Sequence, residues 1–337
     1  TKSLEHYKNI ESTLQNTLVM AQKTADDVKN IAKQQADQIV NQAKGTAQKQ
    51  ANELDNEIIV KKKELEEFIN KYVDNIQWKL ISNIENKGST KTFERLTLEA
   101  DGDYFAYCDQ DDIWNKDKLY KELEYLKSNK ACMVCCNADA IDTVGKILTK
   151  SYMCITDAEK EKIENNTIWK ELLIRNCFWG CTMLISSDSA RNSLPFCKNM
   201  YHDHYLALYA SIQGRICFVD KALMQYRIHG DNQTGFLKDA NDKKSYIKNR
   251  ILPLRARYEM LLKKQLPEEY KAEIENVLKW VKSREEYAQG KWSRMFDMLR
   301  TGININLKTT MFEIMTLWLP ERLWKWQIEW LKQNKGK

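Results

Sequence analysis

A sharp change of composition near residue 68 is the feature that most constrains this chain. Residues 1–67 are polar, rich in Ala, Gln and Lys, and contain no Trp, Cys or Pro. All ten Trp and all nine Cys lie beyond residue 77. A chain of 337 residues with 43% hydrophobic residues is long enough for one large domain or two ordinary ones. The break predicts two separate pieces, of which only the second can build a large core.

The N-terminal piece has the repeat of a coiled coil. Small or apolar residues recur at alternating spacings of four and three, at Leu14, Leu18, Ala21, Ala25, Val28 and Ala32. Two successive spacings of four, from Val28 to Ala36, form a stutter. Alanine makes a thin helix interface, so self-association is the expected remedy. Residues 1–68 are therefore predicted to form a coiled-coil helix that makes the chain a homo-oligomer.

The stretch from Leu14 to Ala25, with the register that continues through Ala32, Ala36, Ile39 and Ala43, resembles a known coil. It is similar to the central coiled coil of the DivIVA family of bacterial cell-pole and division-site scaffolds, over residues 3–66. The resemblance implies a scaffolding or oligomerising role. The membrane-binding module of that family is not found in this sequence, so targeting to a cell pole is not implied.

Three carboxylates follow a short apolar run. Residues 104–108 predict a buried strand, and Asp109, Asp111 and Asp112 come directly after it. Acidic groups this close repel one another, which raises their pKa values unless a cation lies among them. Mg²⁺ or Mn²⁺, held by one or two carboxylates and by substrate phosphates, suits such a cluster. The alternative for a bare Asp-x-Asp is a solvated turn or helix cap.

Strands and helices alternate over the middle of the chain. The pattern predicts strands at 78–81, 103–108, 132–137, 182–186 and 215–219. Helices are predicted at 90–100, 116–128, 167–176 and 201–213. Such alternation is typical of an α/β sheet that binds ligands at its strand ends.

Three further stretches carry candidate functional groups. Residues 176–183 contain Gly180, which allows a close approach of backbone to a ligand. Residues 201–205 open a predicted helix and place Asp203 in its first turn, where a carboxylate could simply complement the helix dipole. Residues 226–235 follow a predicted strand and are rich in groups that bind phosphate or metal.

Together, residues 69–236 resemble the family 2 glycosyltransferases, specifically the rhamnosyltransferase-like enzymes of bacterial surface polysaccharide synthesis. The matching stretches are 85–88, 93–94, 102–104, 109–114, 117–118, 202–203 and 226–232. The resemblance implies a GT-A-like (Rossmann-like) mixed sheet flanked by helices. The expected domains are a coiled coil at 1–68, a transferase domain at 69–240 and a helical, Trp-rich region at 241–337.

The resemblance also implies how the donor is held. Asp109 and Asp111 match the metal motif, with Asp111 on a Mg²⁺ or Mn²⁺ ion and Asp109 on the ribose or the sugar. His229 matches a metal or diphosphate ligand. Asp112 and Arg227 join the donor site, where Arg227 would pair with phosphate oxygens. The implied donor is a nucleotide-diphosphate sugar.

On the acceptor side, the resemblance makes Asp203 the general base of an inverting transfer, while Trp179 and Gly180 would line the site. The implied acceptor is a glycan or a lipid-linked glycan. Two motifs of the family, Thr-Tyr-Asn-Gly and Asp-Asp-Gly-Ser-Thr, do not occur in this sequence. The transferase domain is therefore expected to be incomplete, without the first β-α-β unit, and its sheet to have unpaired strand edges.

Charge, cysteine content and hydropathy argue against three classes of protein: nucleic-acid-binding, disulfide-rich secreted and membrane-spanning proteins. A net charge of +6, without a basic patch interleaved with aromatics, argues against nucleic acid. Nine cysteines, an odd number, favour a reducing cytosol over a disulfide scaffold. Cys132, Cys135 and Cys136 lie in a predicted strand. The sequence has no second Cys/His pair at a suitable spacing, which argues against a zinc site there. No apolar run reaches membrane-spanning length, so the chain is expected to be cytoplasmic or peripheral at the inner membrane face.

The Trp-rich C-terminal helices allow two interpretations. They could pack against the catalytic domain or a dimer partner, or they could lie at a membrane surface with Arg322, Lys325 and Lys332 near anionic lipid. The function as a whole also has an alternative. The chain could be a coiled-coil scaffold of the cell-division type that carries an inactive transferase remnant.

Overall fold

The computed structural model describes residue 29 and residues 33–50, 52–53, 56–64, 67, 79, 81, 83, 85–153, 155–229, 237 and 239–335. The chain divides into two units, residues 1–82 and 83–337. In the first unit, the described residues between 33 and 64 are helical and exposed. The exposed side chains include Ile39, Val40, Ile58, Ile59 and Val60. The part of the heptad register before residue 33 and most of the strand predicted at 78–81 lie outside the described residues.

Within the described residues, the second unit is built around a mixed sheet of six strands. They are β1 (Tyr104–Ala106), β2 (Ile113–Trp114), β3 (Met133–Ile141), β4 (Ile147–Thr149), β5 (Met183–Ser186) and β6 (Ile216–Arg227). The strand order is β1-β5-β3-β6-β2, and β4 pairs with β3. β3 and β6 are parallel, whereas the other pairs are antiparallel. The α/β class and the mixed sheet expected from the sequence are confirmed.

Helices cover both faces of this sheet. They are α1 (Gly88–Glu99), α2 (Lys118–Ser128), α3 (Asp157–Glu164), α4 (Trp169–Ile174), α5 (Ser187–Asn192) and α6 (His202–Gln213), with a 3₁₀ turn at Gly180–Thr182. The helix α6 is buried along almost its whole length, so the core lies between it and the sheet. This explains why its sequence is apolar on all sides after the first turn.

The central strands are longer than their apolar runs predict. β3 is buried throughout apart from Asp139, and β6 continues past the exposed Asp220 and Lys221. The register of the β3–β6 pair shifts around Asn137. Such a bulge lets the ladder resume beyond a polar interruption. β6 therefore carries residues 222–227 to the far end of the sheet, where the predicted loop groups begin.

β1 lies at one end of the strand order and, within the described residues, pairs with β5 alone. An edge strand presents unpaired backbone groups.

The C-terminal third is helical and belongs to the same unit. It contains α7 (Lys243–Tyr246), a π-helical turn (Ile247–Ile251), α8 (Leu252–Leu261), α9 (Glu268–Ala288), α10 (Arg294–Thr316) and α11 (Glu321–Lys335). Tyr258 and Trp280 extend the main core into these helices. A satellite cluster is formed by Ala240, Tyr246, Ile251, Trp324 and Ile328. None of the described helices has the length and apolar character needed to cross a membrane.

Candidate active site

Strand pairing explains how the acidic cluster meets a distant loop. β1 delivers residues 107–112 past its C-terminal end, and Ala106 pairs with Leu184 of the antiparallel β5. The turn Gly180–Thr182 that enters β5 therefore lies beside the acidic residues. Ligand atoms of Asp109, Asp112 and Cys181 all lie within 4.8 Å of one another. The sequence predicted the two carboxylates but not the thiol between them.

A second pairing brings the last motif to the same loop. β2 runs antiparallel to β6, with Ile113 opposite Gln225, so the residues before Ile113 face those after Gln225. His229 Nε2 lies 2.7 Å from Asp111 Oδ2, and both side chains are partly exposed. The structure thus brings together two residues that the sequence assigned to one metal site.

Arg227 links three backbone segments. Its backbone N–H donates to Asp112 Oδ1 at 3.0 Å, and its Nε donates to the carbonyl of Asp111 at 2.8 Å. Its Nη1 donates to the carbonyls of Asp142 and Thr143, at 2.9 and 3.1 Å. The guanidinium therefore ties the acidic loop to the turn between β3 and β4. The pairing of Arg227 with phosphate remains a prediction.

Asp203 stands in the first turn of α6, as predicted, and its carboxylate is held by the neighbouring loop. Its Oδ1 accepts the His204 N–H at 2.6 Å. Burial raises the pKa of Asp203 to about 6, against the opposing effect of hydrogen bonds from His204, the Asn176 side chain and the Gly180 backbone. Such a carboxylate can accept a proton near neutral pH.

Close packing, which the sequence did not reveal, explains why position 180 is a glycine. A Cβ atom at this position would lie 2.5 Å from His202 Nε2 and 3.5 Å from Asp203 Cβ. The His202 ring stacks on Phe93 with centroids 3.9 Å apart, and burial lowers its pKa to about 4. The glycine therefore permits the close approach of α6 that places Asp203 in the site. Its assignment to acceptor binding remains a prediction.

Four carboxylates of the site influence one another. Burial raises the pKa of Asp112 to about 6 and also raises that of Asp109, to which the charge of Asp111 contributes. The charge of Asp109 in turn adds to the raised pKa of Asp203. This mutual repulsion in a partly buried site favours cation binding.

The donor set fits a hard divalent ion. Asp109, Asp111, Asp112 and His229 offer oxygen and imidazole ligands, which suit Mg²⁺ and Mn²⁺. Asp112 Oδ2 is buried and has no hydrogen-bond partner among the described residues. Burial keeps the pKa of the Cys181 thiol well above its usual range, and a protonated thiol is a poor ligand for such ions.

An aromatic group borders the same end of the sheet. Trp179 lies 4.9 Å from Tyr226 and 5.5 Å from Tyr152, measured between ring centroids. The sequence singled out Trp179 for the acceptor side, whereas Tyr152 was missed because it lies in a loop with no motif. The three rings form one aromatic cluster, in which Tyr152 and Tyr226 also stack with centroids 6.5 Å apart.

Comparisons with known proteins agree with the two resemblances. Residues 1–75 match the family model for the DivIVA protein, and residues 47–193 match the model for glycosyl transferase family 2. The two matched ranges overlap at residues 47–75. The resemblances to these two families that the motifs indicated are thereby confirmed.

The dTDP-rhamnosyl transferase RfbG of Shigella flexneri is 28% identical to this chain over 160 residues. The match covers 44% of this chain and 52% of the relative, so the chain spans about half of that protein's length. Among solved structures, S. aureus TarS residues 1–349 in complex with UDP-GlcNAc gives a TM-score of 0.45 at 11% identity, covering 80% of this chain and 79% of TarS 1–349. The complex of the same fragment with UDP gives 0.44 at 14% identity, covering 82% and 78%.

Proposed function

We propose that this chain transfers a sugar from a nucleotide-diphosphate donor to a glycan or lipid-linked acceptor, with inversion, in bacterial cell-envelope polysaccharide biosynthesis. The convergence of the acidic loop, the Asp111–His229 pair and Asp203 at one end of the sheet carries this proposal. The match of residues 47–193 to the model for glycosyl transferase family 2 supports the reaction class. The similarity to a dTDP-rhamnosyl transferase makes rhamnose the first donor sugar to test.

The donor would lie over the acidic loop. In this proposal Asp111 and His229 hold a Mg²⁺ or Mn²⁺ ion, and Asp109 contacts the ribose or the sugar. The bound ion would neutralise negative charge on the diphosphate. Asp112 and Arg227 complete the donor site. Asp112 accepts the backbone N–H of Arg227, so the two residues also fix the shape of the loop.

Asp203 would act as the general base. The acceptor hydroxyl oxygen attacks the anomeric carbon while the bond from that carbon to the diphosphate oxygen breaks. The hydroxyl proton passes to the carboxylate of Asp203, and the nucleoside diphosphate leaves. The raised pKa of Asp203, about 6, matches this role because the base must hold a proton only transiently near neutral pH. Trp179 and Gly180 would line the acceptor side.

Turnover of candidate donors tests the proposal. The full chain is incubated with dTDP-rhamnose or UDP-sugars and a glycan acceptor, and the release of nucleoside diphosphate is measured with Mn²⁺ and after its removal. We expect metal-dependent release that Asp203→Asn slows by about 10²- to 10⁴-fold while donor binding persists. Release that is unchanged in both Asp203→Asn and Asp111→Ala would overturn the site assignment.

A second candidate function is a coiled-coil scaffold with an inactive transferase remnant. The exposed Ile39, Val40, Ile58, Ile59 and Val60 on the N-terminal helical segment favour self-association. Replacing Ala25 and Ala32 by Glu is expected to dissociate the homo-oligomer in sedimentation velocity. A scaffold without transferase activity would lose its assembly in this variant and show no donor turnover in any variant.

The proposal also includes a peripheral membrane contact through the C-terminal helix. A lipid-linked acceptor would be presented at that surface. Deletion of residues 310–337 is expected to abolish flotation of the chain with liposomes, and unchanged flotation would remove this contact from the proposal.

A further inference from the structure

The second half of α10 has an outward apolar stripe. Its large exposed side chains, Leu307, Met311 and Met315, follow spacings of four, which place them on one helix face. Trp318, in the turn after the helix, is also exposed. Thr310, Glu313 and Thr316 on the opposite side are buried. Packing against the rest of the protein thus accounts for the polar face of this half-helix and leaves the apolar stripe exposed.

The next helix repeats the arrangement. On α11, Leu323, Trp326 and Trp330 are exposed, with 66% of Trp326 accessible. Trp324 and Ile328 lie on the other side of the helix and are 0% and 2% exposed. The sequence alone could not separate these tryptophans. The structure assigns one to the core and two to the surface.

The two stripes belong to one region of the molecule. Phe312 and Leu317 near the end of α10, and Trp324 and Ile328 of α11, pack on the same satellite cluster. Lys243 Nζ donates to the carbonyls of Leu317 and Leu319 in the connecting turn. Both helices therefore turn their inner faces to one cluster, and their apolar stripes face away from it.

Basic groups border this region. A cleft of ≈ 520 Å³ at the start of α11 is lined by Lys243, Lys244, Ile247, Lys248, Leu252 and Glu321. Hydrogen bonds from Ser245 lower the pKa of Asp242, and the nearby charges of Lys325 and Lys244 contribute. Lys325 of α11 and Lys244 of α7 thus both lie close enough to Asp242 for their charges to act on it. Lysine side chains with apolar walls suit a phosphate headgroup attached to an acyl chain.

We propose that the stripes of α10 and α11, with the lysine-lined cleft, form a surface that binds anionic phospholipid. Exposed tryptophans beside basic residues on helices that do not span the bilayer are the chemistry of an interfacial membrane site. This deepens the membrane contact of the proposed function, on which it rests, by adding the stripe of α10 and the lysine-lined cleft. The surface would bring the site to a lipid-linked acceptor.

Flotation of the full chain with defined vesicles tests the proposal. Vesicles of phosphatidylcholine alone are compared with vesicles that also contain phosphatidylglycerol. The variants are Trp326→Ser/Trp330→Ser and Lys244→Glu/Lys248→Glu. Trp292→Ser is the matched control, because Trp292 is 56% exposed but lies outside both stripes.

We expect the parent chain to bind only the vesicles that contain phosphatidylglycerol. Either double variant should lower this binding at least about tenfold, and Trp292→Ser should leave it unchanged. Higher salt should weaken binding of the parent chain. Equal binding by parent and both double variants would overturn the proposal. So would a shift in oligomeric state of Trp326→Ser/Trp330→Ser without any vesicle binding by the parent, since the stripes would then join copies of this chain. Calorimetric binding of nucleotide, measured without vesicles, separates these outcomes from failure of the transferase assignment.

Discussion

His229 Nε2 lies 2.7 Å from Asp111 Oδ2, although 118 positions separate the two residues in the chain. The antiparallel pairing of β2 with β6 causes this contact, because it sets the residues after Gln225 beside those before Ile113. The hydrogen bonds of Arg227 to the carbonyl of Asp111 and the carboxylate of Asp112 reinforce it. The metal-binding role proposed for the pair thus has a structural basis in the strand register.

Replacing Asp203 by Asn should remove the base without removing the donor site. We expect kcat to fall by about 10²- to 10⁴-fold, the usual contribution of general base catalysis. In the parent, kcat/KM should rise with pH through about 6, because the carboxyl group must lose its proton to act. The rising limb should be absent from the residual activity of the variant. A variant that keeps both its rate and its pH profile would show that another group takes the proton.

Arg227→Lys distinguishes a positioning role from a phosphate contact. Lysine keeps the charge but cannot span the carbonyls of Asp111, Asp142 and Thr143 as the guanidinium does. We expect metal-dependent nucleotide binding to weaken at least about tenfold in Arg227→Lys. The control is Arg227→Gln, which also removes the charge. Full binding by Arg227→Lys with loss in Arg227→Gln would mean that charge on phosphate, rather than loop geometry, is what Arg227 supplies.

Gly180→Ala should disturb the approach of α6 to the acidic loop. The added methyl group would meet His202 Nε2 at 2.5 Å, and such overpacking costs roughly 1–3 kcal/mol of stability. We expect a lower urea midpoint together with a lower kcat, since Asp203 is the next residue. Gly102→Ala is the matched control, because its Cβ would meet nothing closer than 3.4 Å. Equal urea midpoints for the two variants would contradict the packing role of Gly180.

The buried ion pair of Arg284 and Glu313 should support the C-terminal helices. Its two hydrogen bonds measure 2.7 and 2.5 Å, and the Tyr246 hydroxyl donates to the same carboxylate at 2.9 Å. Glu313→Ala leaves Arg284 charged and buried, which costs about 3–5 kcal/mol. Asp297→Ala, in the exposed pair with Arg294, should cost about 0–1 kcal/mol. Urea unfolding of both variants measures the difference. Similar losses in the free energy of unfolding would contradict the burial of the Arg284–Glu313 pair away from water.

The sequence predicted the elements that have a strong local signal. Helix α6 and the strand before Asp109 were found because their apolar runs and flanking polar residues mark them. β2 and β4 were missed because Ile113–Trp114 and Ile147–Thr149 are too short for a periodic pattern. The length of β6 was underestimated, since Asp220 and Lys221 interrupt its apolar run, whereas its pairing with β3 resumes beyond them after a shift in register.

The candidate site was predicted by residue but not by arrangement. Motif spacing identified Asp109, Asp111 and His229, but only the strand register separates the Asp111–His229 pair from the grouping of Asp109 and Asp112 with Cys181. The backbone carbonyls that receive Arg227 carry no side-chain signal, so no sequence pattern reveals them. The sequence likewise did not reveal which tryptophans of α11 are buried and which are exposed, because that depends on how the helix packs in the structure.

Calorimetric titration of the full chain with UDP and dTDP, with and without Mn²⁺, tests the central claim most directly. The parent should bind nucleotide in the presence of Mn²⁺, and Asp111→Ala should lose that metal-dependent binding while its urea midpoint stays the same. Binding that needs no metal, or that persists unchanged in a folded Asp111→Ala, would contradict the site. Absence of binding by the well-folded parent would leave the coiled coil as the working part of the chain.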